Sequence, residues 1–360
     1  MSSSSTSRRT LISGAAAAGL LGGCGLLRRS PGDEHAPSLE PQPPPPGFHA
    51  GFNHAHLHRK DLGYGSAASL GQLRRLRDLG VSHVALTPFG YLPELSGTDI
   101  RFGSTLDRTL TDDALRREAA QAQSLGLAVC IKPHLWCRAF WDGGKSRQDI
   151  QPADWGAWFS AYAAFAEHYA RLSEEVGAAL YVVGLEYLQA TTDNPGAWAD
   201  IAARCRAVYG GSLSYAANWW QEVDAFADWS AYDFIGVNAY YPLESGASPS
   251  AVDLAVAWKP HLDGLEALSK RAGRPVLFLE AGCQAISGAT KRPWDQGLEG
   301  PADPALQARA YEALLAAAAE RPWLAGIYWW KWFTADRREP DLYCPMGMPA
   351  EDVLSRWWGG

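Results

Sequence analysis

The sequence predicts an α/β fold with a single (β/α)8 TIM barrel. Eight short apolar runs rich in β-branched residues alternate with segments of helical spacing from residue 48 onward. Two of these runs, 180–187 and 275–282, contain one Glu near the end, and a buried strand tolerates an ionised carboxylate only where it opens into a cleft. The 360 residues, 47% of them hydrophobic, are enough for one large barrel.

The first 24 residues predict an export signal. Arg8 and Arg9 precede a weakly apolar run that resembles the core of a twin-arginine signal and is too short to span a bilayer. Leu21-Gly22-Gly23-Cys24 resembles a bacterial lipobox, in which the cysteine is acylated and becomes the first mature residue. We therefore expect an exported bacterial lipoprotein, on the periplasmic side or the cell surface, held at the membrane only through Cys24. The alternative is a cleaved signal with an incidental cysteine.

Residues 25–47 are polar and end in a proline run, which predicts a semi-extended tether outside the fold. The barrel domain is then 48–360. Its first four predicted strands are 48–56, 81–88, 127–134 and 180–187. Between them, leucines at helical spacing precede Gly80, Thr111 caps a helix to Leu125 that Gly126 stops, and 154–175 forms a long helix.

The second half of the barrel follows the same alternation. Its predicted strands are 213–218, 233–240, 275–282 and 324–330. Helices are expected at 195–209, at 254–272, and from Asp303, which caps a helix with Pro304 at its first position, to about Glu320.

The carboxyl ends of these strands carry the candidate site, because chemistry in this fold lies there. Amides, aromatic rings, cationic groups and two carboxylates suit a neutral, polyhydroxylated ligand, and no phosphate-binding glycine loop or dinucleotide fingerprint occurs. The candidate ligand contacts are His54, Lys132, His134, Trp136, Asn218, Trp219, Asn238, Tyr240, Trp330 and Trp332. Of the 16 tryptophans, we expect about half to pack inside and others to stack on sugar rings.

Glu186 and Glu280 end the fourth and seventh predicted strands, on opposite sides of the barrel mouth. Such a pair suits cleavage of a glycosidic bond, in which one carboxylic acid protonates the leaving oxygen and the other carboxylate attacks the anomeric carbon. The expected separation is about 5–5.5 Å, the spacing of retaining enzymes. For either Glu alone, a structural ion pair, for example with Lys132, is the alternative.

These residues resemble clan A glycoside hydrolases, which place the acid/base on strand four and the nucleophile on strand seven. The chain is most similar to glycoside hydrolase family 113, whose characterised members are mainly endo-β-1,4-mannanases. The motifs that carry the resemblance are 131–136, 183–186, 213–219, 235–242, 277–282 and 326–330. Together they extend over roughly residues 48–358.

The resemblance implies a role for each matching residue. Glu186 is the expected acid/base, Glu280 the nucleophile, Tyr240 a hydrogen-bond donor to the nucleophile, and Trp330 the floor of the sugar subsite. The expected cleft residues are His134, Lys132, Asn218 and Trp219. One departure is Leu185, since many clan members have a polar residue, often Asn, before the acid/base. No cofactor is expected, and the expected partner is a carbohydrate substrate bound by a monomer.

The sequence also bears on three other functions. A net charge of −7 and the lack of basic runs after the leader argue against nucleic acid. His54, His56 and His58 alternate as in metal-dependent barrel hydrolases, but later strand ends offer Asn and Trp instead of further ligands. A non-catalytic, surface-anchored carbohydrate-binding lipoprotein stays open because of Leu185.

Five cysteines follow Cys24, without a CxxC spacing. The odd number and the spacing support neither a zinc site nor a full disulfide framework. A pair between Cys130 and Cys137 stays open.

Overall fold

The computed structural model describes residues 39–59, 61–103, 110–142, 144–226, 228–337 and 341–359. These residues belong to one compact unit. The predicted export signal, Cys24 and the first part of the tether lie outside the described residues. No helix among the described residues is long and apolar enough to cross a membrane.

Eight parallel strands close into a barrel and confirm the predicted fold class. They are β1 (His49–Ala55), β2 (His83–Leu86), β4 (Ala128–Ile131), β6 (Leu180–Leu185), β7 (Ser212–Asn218), β8 (Phe234–Asn238), β9 (Val276–Ala281) and β10 (Leu324–Phe333). They follow one another in this order around the barrel, and β10 pairs with β1 to close it. Each corresponds to one predicted strand.

Two further strands were not predicted. β3 (Phe89–Leu92) and β5 (His134–Cys137) follow β2 and β4 directly in sequence and pair in parallel with each other. The predicted third strand therefore divides in two, because the chain leaves the barrel at Lys132 and Pro133 before it becomes extended again.

The helices follow the strands along the chain. They are α1 (Ala67–Asp78), α2 (Asp112–Ser124), α3 (Ala139–Asp142), α4 (Trp155–Glu175), α5 (Leu188–Asp193), α6 (Ala197–Arg206), α7 (Glu222–Ala225), α8 (Ala251–Ala272), α9 (Pro304–Ala319) and α10 (Pro349–Trp358). The side chains of Thr111 and Asp303 each accept a first-turn backbone N–H, as predicted. α8 begins earlier than predicted because Ser250 and Asp253 form a capping box.

The core lies inside the barrel and between the strands and helices. Eight tryptophans are buried among the described residues, in line with the expectation that about half of the 16 pack internally. They are Trp158, Trp198, Trp229, Trp258, Trp329, Trp332, Trp357 and Trp358. The five cysteines after the leader are buried free thiols, so Cys130 and Cys137 do not form a disulfide.

The end of the predicted tether reaches the barrel at the amino-terminal ends of the strands. Leu39 packs against the core, and the Pro45 carbonyl accepts a hydrogen bond from Phe48 N–H just before β1. Residues 42–45 line a cavity of about 230 Å³ together with side chains of α9 and α10, including Trp358. The last residues of the tether therefore contact the fold.

Candidate active site

A cavity of about 520 Å³ contains both predicted catalytic carboxylates. This volume is within the usual range of ligand-binding clefts. It lies at the carboxyl ends of the barrel strands, where Glu186 follows β6 and Asn218 ends β7. Its lining residues are His134, Ser146, Arg147, Gln148, Glu186, Asn218, Trp219, Trp220, Tyr240, Glu280, Trp294, Gln296, Trp330 and Tyr343.

Glu280 lies in β9 and is held through both carboxylate oxygens. Lys132 Nζ is 2.7 Å from Oε1, and the Tyr240 hydroxyl donates to Oε2 at 2.8 Å. Burial lowers the pKa of Lys132, and the adjacent Glu280 opposes that shift. Burial and Glu280 together raise the pKa of the Tyr240 hydroxyl well above its usual value. The ion pair with Lys132, which the sequence offered as the alternative role of Glu280, is thus present. It holds Glu280 inside the cavity.

Glu186 follows β6 with a left-handed backbone, at φ 56°. A non-glycine residue in this region costs about 1–2 kcal/mol, and such strain concentrates at functional sites. Burial raises the pKa of the Glu186 carboxyl, the nearby Glu280 raises it further, and Arg147, Asn238 and Lys132 oppose the rise. Glu186 is therefore the carboxyl group of the pair that is favoured as the proton donor.

Arg147 connects three groups at the cavity wall. Its guanidinium donates to Glu186 Oε2 at 3.1 Å, to His134 Nδ1 at 2.9 Å and to the Leu135 carbonyl at 3.2 Å. Burial lowers the pKa of His134 well below its usual value, and Arg147, Lys132 and Lys331 lower it further. The neutral imidazole therefore accepts at Nδ1 and carries its proton at Nε2. No sequence pattern indicated Arg147, which lies on a short 3-10 turn at 147–149.

Glu222, at the start of α7, joins the loops that follow β6 and β7. Its carboxylate accepts hydrogen bonds from the Asn218 N–H at 2.8 Å, the Tyr215 hydroxyl at 2.7 Å and the Thr191 hydroxyl at 3.2 Å. The Tyr215 oxygen accepts in turn from Tyr187 N–H at 3.0 Å. Burial raises the pKa of Glu222 to about 7. This residue was also not predicted.

The model of Glycoside Hydrolase Family 113 matches residues 56–343. The chain belongs to this glycoside hydrolase family. The match includes both Glu186 and Glu280 and extends over all but the first barrel strand and the last helix of the described fold.

Solved structures of family 113 members are similar over nearly their whole length. A structure described as a family 113 β-1,4-mannanase complex is 27% identical, with a TM-score of 0.76, over 86% of this chain and 98% of that chain. The family 113 β-mannanase AaManA from Alicyclobacillus acidocaldarius, in complex with ManMIm, is 29% identical, with a TM-score of 0.75, over 86% and 96%. A Ruminococcus gnavus β-glucuronidase is 12% identical at a TM-score of 0.58 and shows the fold alone. No curated protein matches the chain.

Five of the ten predicted ligand contacts are brought together at the cavity. His134, Asn218, Trp219, Tyr240 and Trp330 all line the cavity with the two carboxylates. The Trp330 ring stacks near His134, with centroids 5.9 Å apart.

Lys132 and Asn238, also predicted as ligand contacts, are fully buried behind the cavity wall. Lys132 contacts Glu280, and Asn238 lies beside Glu186. Neither polar atom of the Asn238 side chain meets the geometry of a hydrogen bond among the described residues. Lys132 and Asn238 therefore lie against the two carboxyl groups and do not line the cavity itself.

The predictions for His54 and Trp332 as cleft residues were wrong. His54 is on the outer face of β1, where its Nε2 is 2.9 Å from the Ser69 hydroxyl, because neighbouring side chains alternate across a strand. In β10 an extra residue, Lys331, lies opposite β1, since Asn53 pairs with residue 330 and His54 with residue 332. This bulge breaks the alternation and turns Trp332 outward, where its Nε1 donates to Gln72 of α1 at 3.0 Å.

Trp136 was likewise predicted in the cleft, but it lines a separate cavity of about 460 Å³ with Tyr91 and Arg101. The reason is the unpredicted β5, which carries Trp136 away from the barrel mouth. The histidines of the metal-site alternative are engaged elsewhere, since His56 Nδ1 accepts from Tyr64 N–H at 3.0 Å. Among the described residues, no group of three or more His, Cys, Asp or Glu could hold a metal ion.

Proposed function

We propose that this family 113 member is a retaining glycosidase that cleaves β-1,4-linked, mannan-type chains with Glu186 and Glu280. The observation that carries the proposal is that the two carboxyl groups line one cavity in opposite electrostatic surroundings. Glu280 is held by an ammonium group and a hydroxyl donor, whereas burial raises the pKa of Glu186. The mannan-type substrate is supported by the similar family 113 structures, which are described as β-mannanases.

The chemistry follows as a double displacement. A Glu280 oxygen attacks the anomeric carbon while Glu186 gives its proton to the leaving oxygen, so that a glycosyl ester forms and the glycosidic bond breaks. Glu186, now ionised, takes a proton from water, and that water attacks the anomeric carbon and releases Glu280. Two inversions at one carbon return the original β-configuration. Lys132 and Tyr240 keep Glu280 in place through both steps.

Variants of the two carboxylates test the proposal. We expect Glu186→Gln to lower kcat by about 10²–10⁴-fold, the usual contribution of a general acid–base, and Glu280→Ala to remove hydrolysis of manno-oligosaccharides. Glu320→Gln, an exposed residue after α9, is the matched control and should keep wild-type turnover. NMR of the fresh product should show the β-anomer first. Near-normal turnover in both active-site variants would refute the assignment, and an α-anomer formed first would refute retention.

A non-catalytic carbohydrate-binding protein is the second candidate, and Leu185 is the observation that favours it. Leu185 is fully buried and pairs with Ala216 of β7, and its apolar side chain offers no hydrogen bond to a sugar hydroxyl. Binding of manno-oligosaccharides without product, in the wild-type chain, would support this candidate.

We also propose that the chain is exported and held at the membrane by a lipid on Cys24, and that it acts as a monomer. The support for the anchor is the paired Arg8 and Arg9 and the lipobox-like residues before Cys24.

A further inference from the structure

Two exposed tryptophans lie at the rim of the catalytic cavity. Trp220 and Trp294 expose 44% and 42% of their surface, and together with Val256 they are the exposed large hydrophobic residues among those that the structure describes. Both line the cavity that holds Glu186 and Glu280. Exposed indole area that gathers at one cleft, instead of being scattered, marks a binding surface.

The Trp294 ring is supported by a row of aromatic side chains. The Trp294 ring packs against Trp219 with centroids 5.1 Å apart, and Trp219 packs against Tyr241 at 5.5 Å. Tyr241 is buried and stacks on His261 at 4.6 Å. Trp294 is therefore seated on the fold with one part of its ring left open to the cavity.

The backbone on both sides of Trp294 is also fixed. The Pro293 carbonyl accepts from the Tyr343 hydroxyl at 2.8 Å, and the Asp295 side chain accepts from Gly297 N–H at 3.0 Å. Arg292 forms an ion pair with Asp295 at 3.2 Å. These contacts hold the exposed ring in place before any ligand arrives, which lowers the entropic cost of binding.

Hydrogen-bonding groups lie beside the rings. Gln296 lines the same cavity, and the side-chain amide oxygen Oδ1 of Asn218 accepts from the Trp220 backbone N–H at 3.2 Å. Asn218 is itself tied to Glu222, so the loop that carries Trp219 and Trp220 is anchored to the barrel. Flat apolar rings next to amides match the two faces of a pyranose unit, which offers C–H groups on its faces and hydroxyls on its edge.

We propose that Trp219, Trp220 and Trp294 form a tryptophan rim that binds sugar units of the chain beyond the two that flank the cleaved bond. The inference rests on the proposed glycosidase function and deepens it. A subsite at the rim makes long chains better substrates than short ones.

The test is the dependence of kcat/KM on chain length, measured with β-1,4-linked manno-oligosaccharides of three to six units and the full chain. In the wild type, kcat/KM rises with length. Trp294→Ala and Trp220→Ala are each expected to lower the ratio of kcat/KM for the hexasaccharide to that for the trisaccharide by about tenfold, equivalent to ~1.4 kcal/mol. Trp294→Phe keeps a ring and should restore most of the ratio. Val256→Ala, exposed on the outer helix α8, is the matched control and should keep it.

The outcomes separate the rim from the chemistry. Both alanine variants are first confirmed as folded by their melting temperatures. If their ratios of kcat/KM for hexasaccharide to trisaccharide stay within twofold of wild type, the binding role of the tryptophan rim is refuted while the glycosidase function stands. If the wild-type chain cleaves none of the oligosaccharides, the glycosidase function fails, and calorimetric binding of the hexasaccharide then decides. A tenfold weaker Kd in Trp294→Ala supports the rim, and an unchanged Kd overturns it.

Discussion

At the scale of single residues, the protonation of Glu186 depends on opposed neighbours. Burial and the charge of Glu280 raise its pKa, and the guanidinium of Arg147, 3.1 Å away, lowers it. The Arg147 guanidinium is itself held in place, because it also donates hydrogen bonds to His134 and to the Leu135 carbonyl. Arg147 thus orients the Glu186 carboxyl group and limits how high its pKa rises.

Arg147→Gln should shift the pH profile of kcat/KM. Loss of the cation raises the pKa of Glu186, so this carboxyl group stays protonated to higher pH. The basic limb of the profile therefore shifts to higher pH. The limb is measured on a manno-oligosaccharide across pH 4–10, with Arg116→Gln, a surface residue paired with Glu175, as control. A basic limb that stays in place or moves to lower pH would show that Arg147 does not act on the proton of Glu186.

The residues that could be predicted from the sequence are those at strand ends. Parallel strands bring their carboxyl ends to one face of a barrel, so Glu186, Glu280, Asn218 and Tyr240 meet there without any knowledge of the loops. Arg147 lies on a loop turn whose sequence has no periodicity, and only tertiary contact places it beside Glu186.

At the scale of elements, Glu222 links two loops of the site through one buried carboxylate. It accepts hydrogen bonds from the Asn218 N–H at the end of β7 and from the Tyr215 hydroxyl, whose oxygen accepts in turn from the Tyr187 N–H after β6. A four-residue helix such as α7 has no stability of its own, so its position depends on these bonds. For the same reason α7, β3 and β5 could not be predicted, whereas the caps of α2 and α9 could.

The free energy of unfolding should depend on pH through the titration of Glu222. Its pKa rises from 4.5 in the unfolded chain to about 7 in the folded one, so the folded state binds more protons between these values. The contribution of Glu222 to stability therefore falls as pH rises through this window, by roughly 3 kcal/mol at most. The variant Glu222→Gln lacks this titration. We expect the difference in unfolding free energy, wild type minus Glu222→Gln, to decrease from pH 4.5 to 7 and to level off above.

Urea unfolding at several pH values measures this difference directly. Glu320→Gln provides the control, because an exposed carboxyl after α9 should leave the pH dependence unchanged. Parallel curves for wild type and Glu222→Gln would show that Glu222 does not titrate differently in the folded state.

At the scale of the whole molecule, the chain enters the barrel on the face opposite to the catalytic cavity. Residues 42–45 and Phe48 share a cavity with Trp358 and Leu324, at the amino-terminal ends of the strands. The cavity with Glu186 lies at the carboxyl ends. In a parallel barrel these are two separate faces, so residues 42–48, the described end of the tether, lie on the face opposite to the cavity with Glu186.

Membrane attachment through Cys24 should therefore leave catalysis unchanged. We expect the full chain to be recovered with bacterial membranes, and both Cys24→Ser and a form that starts at Gly47 to be recovered in the soluble fraction. On a soluble manno-hexasaccharide, membrane-bound and soluble forms should have kcat/KM values within about twofold of each other, because the cavity opens on the face opposite to residues 42–48. If Cys24→Ser and the unchanged chain distribute equally between the membrane and soluble fractions, the lipid anchor at Cys24 is refuted. A loss of more than tenfold on attachment, reversed in the form from Gly47, would show that the membrane obstructs the cleft in spite of its place on the opposite face.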